Sequence, residues 1–144
     1  MALGLSAAAL SPQRGGAQGR PAVVTMPAAG TPVRRAVLDA VRRHLRSSAT
    51  FKVAHFAVSG RYAFLRAGEV VQDDENLQET DLFVETFLER RSDGRWRVVH
   101  LWNLVDEGEK ALHDAFLERV QRAMRTQALP MTMLPEDLRP TAGA

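Results

Sequence analysis

The 144-residue chain carries 45% hydrophobic and 25% charged residues, enough for one domain with its own core and too short for two ordinary ones. It has no cysteine, which excludes a disulfide framework, a thiolate nucleophile and a cysteine-ligated zinc. A formal net charge of +2 gives little support to nucleic-acid binding, and the longest apolar run falls short of the ~18 residues of a membrane-spanning helix.

Residues 1–30 are a different material from the rest, rich in Ala, Gly, Pro and Ser. The apolar block Ala2–Leu10 is followed by Ala17-Gln18-Gly19, a small-x-small signature of signal-peptide cleavage. The basic residue that usually precedes the apolar block is missing. The segment is therefore read as an export signal or a disordered tail, outside the fold. Export would place the protein in the periplasm or outside the cell, and a plain tail leaves it cytoplasmic.

Thr31-Pro32 predicts a helix start, with Thr as side-chain cap and Pro in the first turn. Val33, Ala36, Val37, Ala40, Val41 and Leu45 then form one apolar stripe, and Ser47-Ser48 ends the helix. Arg34, Arg35, Arg42, Arg43 and Arg46 lie off that stripe. They form either an anion-binding patch or a solvated face with cations toward the helix C-terminus; no aromatic is interleaved to stack on bases.

Phe51–Ser59 and Arg61–Val71 read as two strands joined at Gly60, a hairpin. In the second strand Tyr62, Phe64 and Arg66 share one face; Ala63, Leu65 and Ala67 share the other. Gln72–Thr80 is acidic and lacks apolar periodicity, so it is expected to be a surface loop. Asp73, Asp74 and Glu75 are adjacent rather than alternating, which is not calcium-loop spacing. In Asp81–Arg91, Leu82, Val84, Thr86 and Leu88 alternate with Phe83, Glu85, Phe87 and Glu89. Ser92-Asp93-Gly94 turns the chain. After it, Trp96, Val98, His100, Trp102 and Leu104 are expected on one face and Arg97, Val99, Leu101 and Asn103 on the other.

A last helix is predicted from Glu107 to Met124, with Leu112, Ala115, Phe116 and Val120 as its stripe and Leu117 and Met124 flanking it. The tail that follows has three prolines, which stop the helix. It also has Leu129, Met131, Met133 and Leu134, enough apolar content to lie along a groove of the body. The domain reading is thus a segment 1–30, a cone-shaped α+β domain 31–126 and a Pro-rich tail 127–144. The expected fold is a curved antiparallel sheet of about four strands packed on the N-terminal helix, with a C-terminal helix and tail.

The stretches "FKVAHFAVSGRYAFLRA" and "DGRWRVVHLW", after a helix opening Thr-Pro-x-Arg, resemble small exported bacterial proteins of uncharacterised function. These are grouped with the cystatin-like cone fold of the nuclear transport factor 2-like superfamily. The resemblance spans roughly Thr31 to Trp102. It implies the cone fold and export, and is nearly silent about activity. Enzymes of that superfamily, such as ketosteroid isomerases and dehydratases, use Asp, Tyr or His inside the cone. His55, Tyr62 and His100 are the corresponding candidates here for proton transfer, with Trp102 a candidate ligand contact.

Against catalysis, no strand aspartate stands in an obvious position, and His55 and His100 read rather as half-buried sheet residues with one hydrogen bond each. His44, His55, His100 and His113 lack metal-ligand spacing, so no metal is expected. Gly-rich phosphate loops and serine-nucleophile motifs are absent, so no cofactor is expected. The leading reading is a non-enzymatic exported domain that binds a small ligand or a protein, or pairs with itself as a homodimer. Self-pairing is suggested by Phe83, Phe87, Val99 and Leu101, an apolar second sheet face that a further chain would cover.

Overall fold

The structure, a computed structural model, describes residues 22–103 and 110–141. The expected helix forms as α1, Pro32–Leu45. Four strands follow: β1 Thr50–Ser59, β2 Tyr62–Asp73, β3 Asn76–Arg90 and β4 Trp96–Asn103. Then come α2, Lys110–Thr126, and two short 3₁₀ turns, Met131–Met133 and Glu136–Leu138. The strands make one curved, open antiparallel sheet in the order β1-β2-β3-β4. The fold is α+β, with both helices lying against β4 on opposite faces of the sheet. No helix among the described residues is long and apolar enough to cross a membrane.

The period-2 alternation of β2 and β3 loads both faces of the sheet with apolar side chains. Ala63, Leu65, Ala67, Val84 and Leu88 pack with Val37, Ala40 and Val41 of α1. Phe64 and Phe87 point the other way, into a second core with Phe116, Val120 and Met124 of α2 and Met133, Leu134 and Leu138 of the tail. The face that seemed to ask for a second chain is therefore covered by the chain's own C-terminal third. The tail does lie in a groove: Met133 and Leu134 are fully buried.

The acidic segment is not a loop. β2 and β3 keep pairing through Val71↔Gln78 and Gln72↔Leu77 to Asp73↔Asn76, and Asp74 takes a left-handed conformation (φ 50°) at the tip. Residues 71–79 are exposed, so neither side of this ribbon has a core to impose an apolar period. Backbone pairing carried out from the core extends it, and that leaves no pattern in the side chains. Lys52 on β1 braces its base through Glu79 (2.8 Å). The sheet is thus a meander of three hairpins, rather than two hairpins around a loop.

Two bulges reset which face the edge strands present. On β4, Phe87 pairs with His100 and Leu88 with Val98, leaving Val99 as an extra residue. One extra residue inverts the alternation beyond it. Trp96 and Val98 accordingly join the α1 core, while Val99 and Trp102 join the α2 core and Leu101 returns to the α1 side. The single tryptophan stripe expected from the sequence is split between the faces. On β1, Val53 pairs with Ala67 and His55 with Arg66, so Ala54 is the extra residue.

Three smaller expectations are corrected. Thr31 is the N-cap of α1, yet its hydroxyl makes no cap bond and donates backward to the Ala28 carbonyl (2.8 Å). The α1 helix closes on Arg46, which is left-handed (φ 52°), before the two serines. On α2 the buried stripe is Phe116, Val120 and Met124, spaced i, i+4, i+8, while Leu112 is exposed. The predicted start of that helix at Glu107, Leu104 and the proposed cleavage segment lie outside the described residues. Residues 22–30 are described, and they are not all apart from the fold: Thr25 bridges Val58 on the β1 edge through two 2.8 Å backbone bonds.

If the tail is core rather than drapery, Leu134→Ala should cost about 3 kcal/mol in urea unfolding, as for a buried leucine elsewhere. A loss below about 1 kcal/mol would show that the tail adds little to the fold.

Candidate functional site

The β1 bulge and the β4 bulge together assemble a row that runs across all four strands. His55 pairs with Arg66, Arg66 with Glu85 and Glu85 with Trp102. The side chains meet α2 and the tail. Arg66 donates from Nη1 and Nη2 to the two Asp137 oxygens (2.9 and 2.8 Å), and Nη2 also reaches Glu85 Oε2 (3.3 Å). His113 of α2 donates its Nε2–H to Glu85 Oε1 (2.8 Å), since a carboxylate can only accept. By the same logic His55 donates Nε2–H to the Met133 carbonyl (2.7 Å).

Glu85 is only 3% exposed, and a carboxylate in that setting has to be paired. Its oxygens are both committed, one to α2 and one to Arg66, so the row ties three parts of the chain together: sheet, helix and tail. The fork from Arg66 holds the Asp137 carboxyl below its usual range and raises the guanidinium pKa in turn. Trp102 packs edge-on to the His113 ring (centroids 4.4 Å apart) and to Phe83 (6.5 Å). Among the described residues its Nε1–H, like Arg66 Nε, is buried without an acceptor.

Glu85, Arg66, His113 and Asp137 were not singled out from the sequence, although two of them carried a signal. Arg66 follows Phe64 at a two-residue step, and Glu85 lies between Phe83 and Phe87; a charge on an otherwise apolar strand face has to find a partner. The partners from α2 and the tail had no such mark.

The three histidine and tyrosine candidates divide. Tyr62 and His100 flank Phe87, each nearly parallel to its ring (Tyr62 at 6°, centroids 5.6 Å; His100 at 18°, 6.5 Å). With Val99 they floor a cleft of about 430 Å³ beneath the C-terminal half of α2, whose Arg119 and Arg122 form the opposite wall. His55 stands apart, beside Phe64 (6.3 Å) and bonded to the tail; Phe64, not His55, is the neighbour of Phe87 across β2 and β3. Burial, with a smaller push from the Arg119 charge, lowers the His100 pKa, so its imidazole is neutral at pH 7 and can both donate and accept. Arg122 pairs with Glu118 (3.0 Å), whereas Arg119 has no ion-pair partner among the described residues.

Of the five arginines of α1, Arg34, Arg35 and Arg42 line one shallow cleft of about 240 Å³. Arg34 and Arg35 donate to the carbonyls of Pro27 and Gly30. Arg42 donates to the Ala49 carbonyl (2.7 Å) and to Asp39 (2.9 Å), and Arg46 sits at the helix end. Only Arg43 turns toward the β3–β4 connection, where it meets other arginines.

Comparison of the chain with family models, with curated proteins and with solved structures finds no match.

The row should behave as a structural tie. Glu85→Ala, which strands the His113 N–H and one Arg66 contact, should cost about 3 kcal/mol. Asp137→Asn should cost about 0.5 kcal/mol at pH 7, because that carboxylate faces solvent. A depressed carboxyl pKa stabilises above the unfolded value of about 3.9. The Asp137→Asn difference should therefore fade as pH falls through the folded value, read by urea unfolding at pH 7 and pH 3. A difference that does not shrink at all between pH 7 and pH 3 would mean the fork acts through something other than charge.

Proposed function

We propose that this is a non-enzymatic exported domain of nuclear transport factor 2-like build that binds a small planar acid in the cleft under α2. The observation that carries the binding reading is the pairing of an aromatic floor, Tyr62, Phe87 and His100, with a facing Arg119 that has no ion-pair partner among the described residues. A flat ring can stack or pack edge-on against that floor, and a carboxylate can take the guanidinium in bidentate fashion. Neutral His100 adds a donor or acceptor at the floor, and Glu89, the carboxylate in the lining, is engaged by Arg97 (2.8 Å).

The isomerase- or dehydratase-like alternative asks His55, Tyr62 and His100 to surround one substrate. His55 gives its Nε2–H to the Met133 carbonyl, and Glu85, a carboxylate on the sheet face, has both oxygens engaged. Neither is poised to move a proton. Self-pairing through the second sheet face loses its motive as well, because α2 and the tail occupy that face. What supports the superfamily reading is the run of motifs from Thr31 to Trp102, together with a curved sheet packed on an N-terminal helix. Export rests on Ala2–Leu10 and Ala17-Gln18-Gly19.

Titration with benzoate and indole-3-acetate, followed by amide NMR, tests the binding reading. The expected result is saturable shifts at Val99, His100 and residues 119–127, lost in Arg119→Gln. Shifts scattered over the surface, or none, would overturn it. Export predicts that the protein recovered from the periplasm or medium of a bacterial host has a mass short by a segment ending near Gly19. Full-length protein confined to the cytoplasm would contradict it.

A further inference from the structure

A second, separate cleft of about 660 Å³ lies on the α1 side, between that helix and the β3–β4 turn. Its basic groups come from two places. Arg43 projects from α1, and Arg91, Arg95 and Arg97 come from the turn and the start of β4. Gly94 (φ 85°) lets the chain reverse tightly there, with the Gly94 N–H bonded to the Arg91 carbonyl (2.9 Å) and the Arg91 N–H to the Arg95 carbonyl (2.7 Å). The turn is thus a fixed frame that carries Arg91 and Arg95 toward Arg43, while the Arg97 guanidinium turns to Glu89 (2.8 Å). Trp96, buried against the α1 core, provides an apolar floor.

The neighbouring carboxylates are engaged with other partners or only loosely placed. Asp39, within the cleft, binds Arg42 (2.9 Å). Glu89 binds Arg97 (2.8 Å) and approaches Arg61 (3.8 Å), and Asp93 is 4.0 Å from Arg91 while accepting the Arg95 backbone N–H (2.9 Å). Arg43 and Arg95 have no side-chain hydrogen bond or ion pair among the described residues. On a chain whose formal net charge is only +2, Arg43, Arg91 and Arg95 around one concavity are a local concentration of charge. Arginine forks match the geometry of phosphate oxygens, and a shared anion relieves their mutual repulsion.

We infer that this cleft binds a soluble phosphorylated small molecule, with Arg43 and Arg95 as the principal phosphate contacts and Trp96 beneath its less polar part. Its principal contacts, Arg43 and Arg95, are not part of the planar-acid cleft, which shares with it only the Arg97–Glu89 pair, so either can fail without the other. It joins one of the five α1 arginines, Arg43, to Arg95 at a junction the sequence does not reveal, since the two lie on different elements.

The test is titration of the full chain with inorganic pyrophosphate at matched ionic strength, followed by amide shifts and the Trp96 indole. Expected are saturable changes at Gly94, Arg95 and Trp96, with affinity weakened about tenfold by Arg43→Gln and by Arg95→Gln. Arg125→Gln, which removes the same charge from α2, should leave affinity unchanged. Both cleft arginines are exposed, so their variants should keep the wild-type unfolding midpoint, and loss of binding then reports the site. Equal weakening by all three variants, or shifts that never saturate, would reduce the effect to general attraction and overturn the proposal. Tighter binding to a single-stranded oligonucleotide or to anionic phospholipid vesicles than to pyrophosphate would overturn it too, assigning the arginines to a macromolecular surface.

Discussion

A four-stranded sheet with large apolar side chains on both faces governs this protein. Leu65, Val84 and Leu88 face one way; Phe64 and Phe87 face the other. Such a sheet cannot stand with one side in water, because each buried aliphatic or aromatic side chain is worth about 1.5–3 kcal/mol relative to exposure. Coverage must come from two directions. α1 supplies one cover early in the chain, and α2 with the tail supplies the other at the end. The sheet becomes the middle of three layers, and the prolines of the tail serve to lay Met133, Leu134 and Leu138 against Phe64 and Phe87 rather than to loosen the C-terminus.

A three-layer arrangement leaves a problem of orientation, since an apolar cover slides and rotates at little cost. The polar row answers it. Arg66 and Glu85 are adjacent on β2 and β3, and their directional bonds fix where His113 and Asp137 must come to rest. A buried ion pair adds little net stability over apolar replacements, yet it penalises every docking of α2 and the tail that leaves a charge unpaired. The same docking sets the cleft between His100 and Arg119 beside the C-terminal half of the helix, whose Val120 and Met124 stay packed on the sheet. The shape of the cleft and the tie that anchors the helix are thus parts of one arrangement.

The two edge bulges matter as much as the strands they interrupt. Val99 shifts His100 and Trp102 to the α2 side, and Ala54 does the same for His55. Without them His100 would share a face with Trp96, under α1, and could not meet Tyr62 and Phe87. Edge strands tolerate such insertions because only one side of each is paired within the sheet.

Periodicity by itself determined the helix α1, the strand pairs on either side of Gly60 and of Gly94, the faces of β2 and β3, and an apolar tail that had to be buried. These follow from local rules: a helix stripe repeats every three to four residues, a strand alternates, and Asp-Gly turns. Only the tertiary structure decided the rest. The polar ribbon from Gln72 to Thr80 carries no period because neither of its sides meets a core. The faces of His55, His100 and Trp102 depend on single extra residues that propensity does not mark. The partners of Glu85, the destination of Arg43 and the cover over Phe64 and Phe87 are contacts between residues far apart in the chain. Local sequence fixes which side chains must be buried or paired, and packing of the layers chooses with whom.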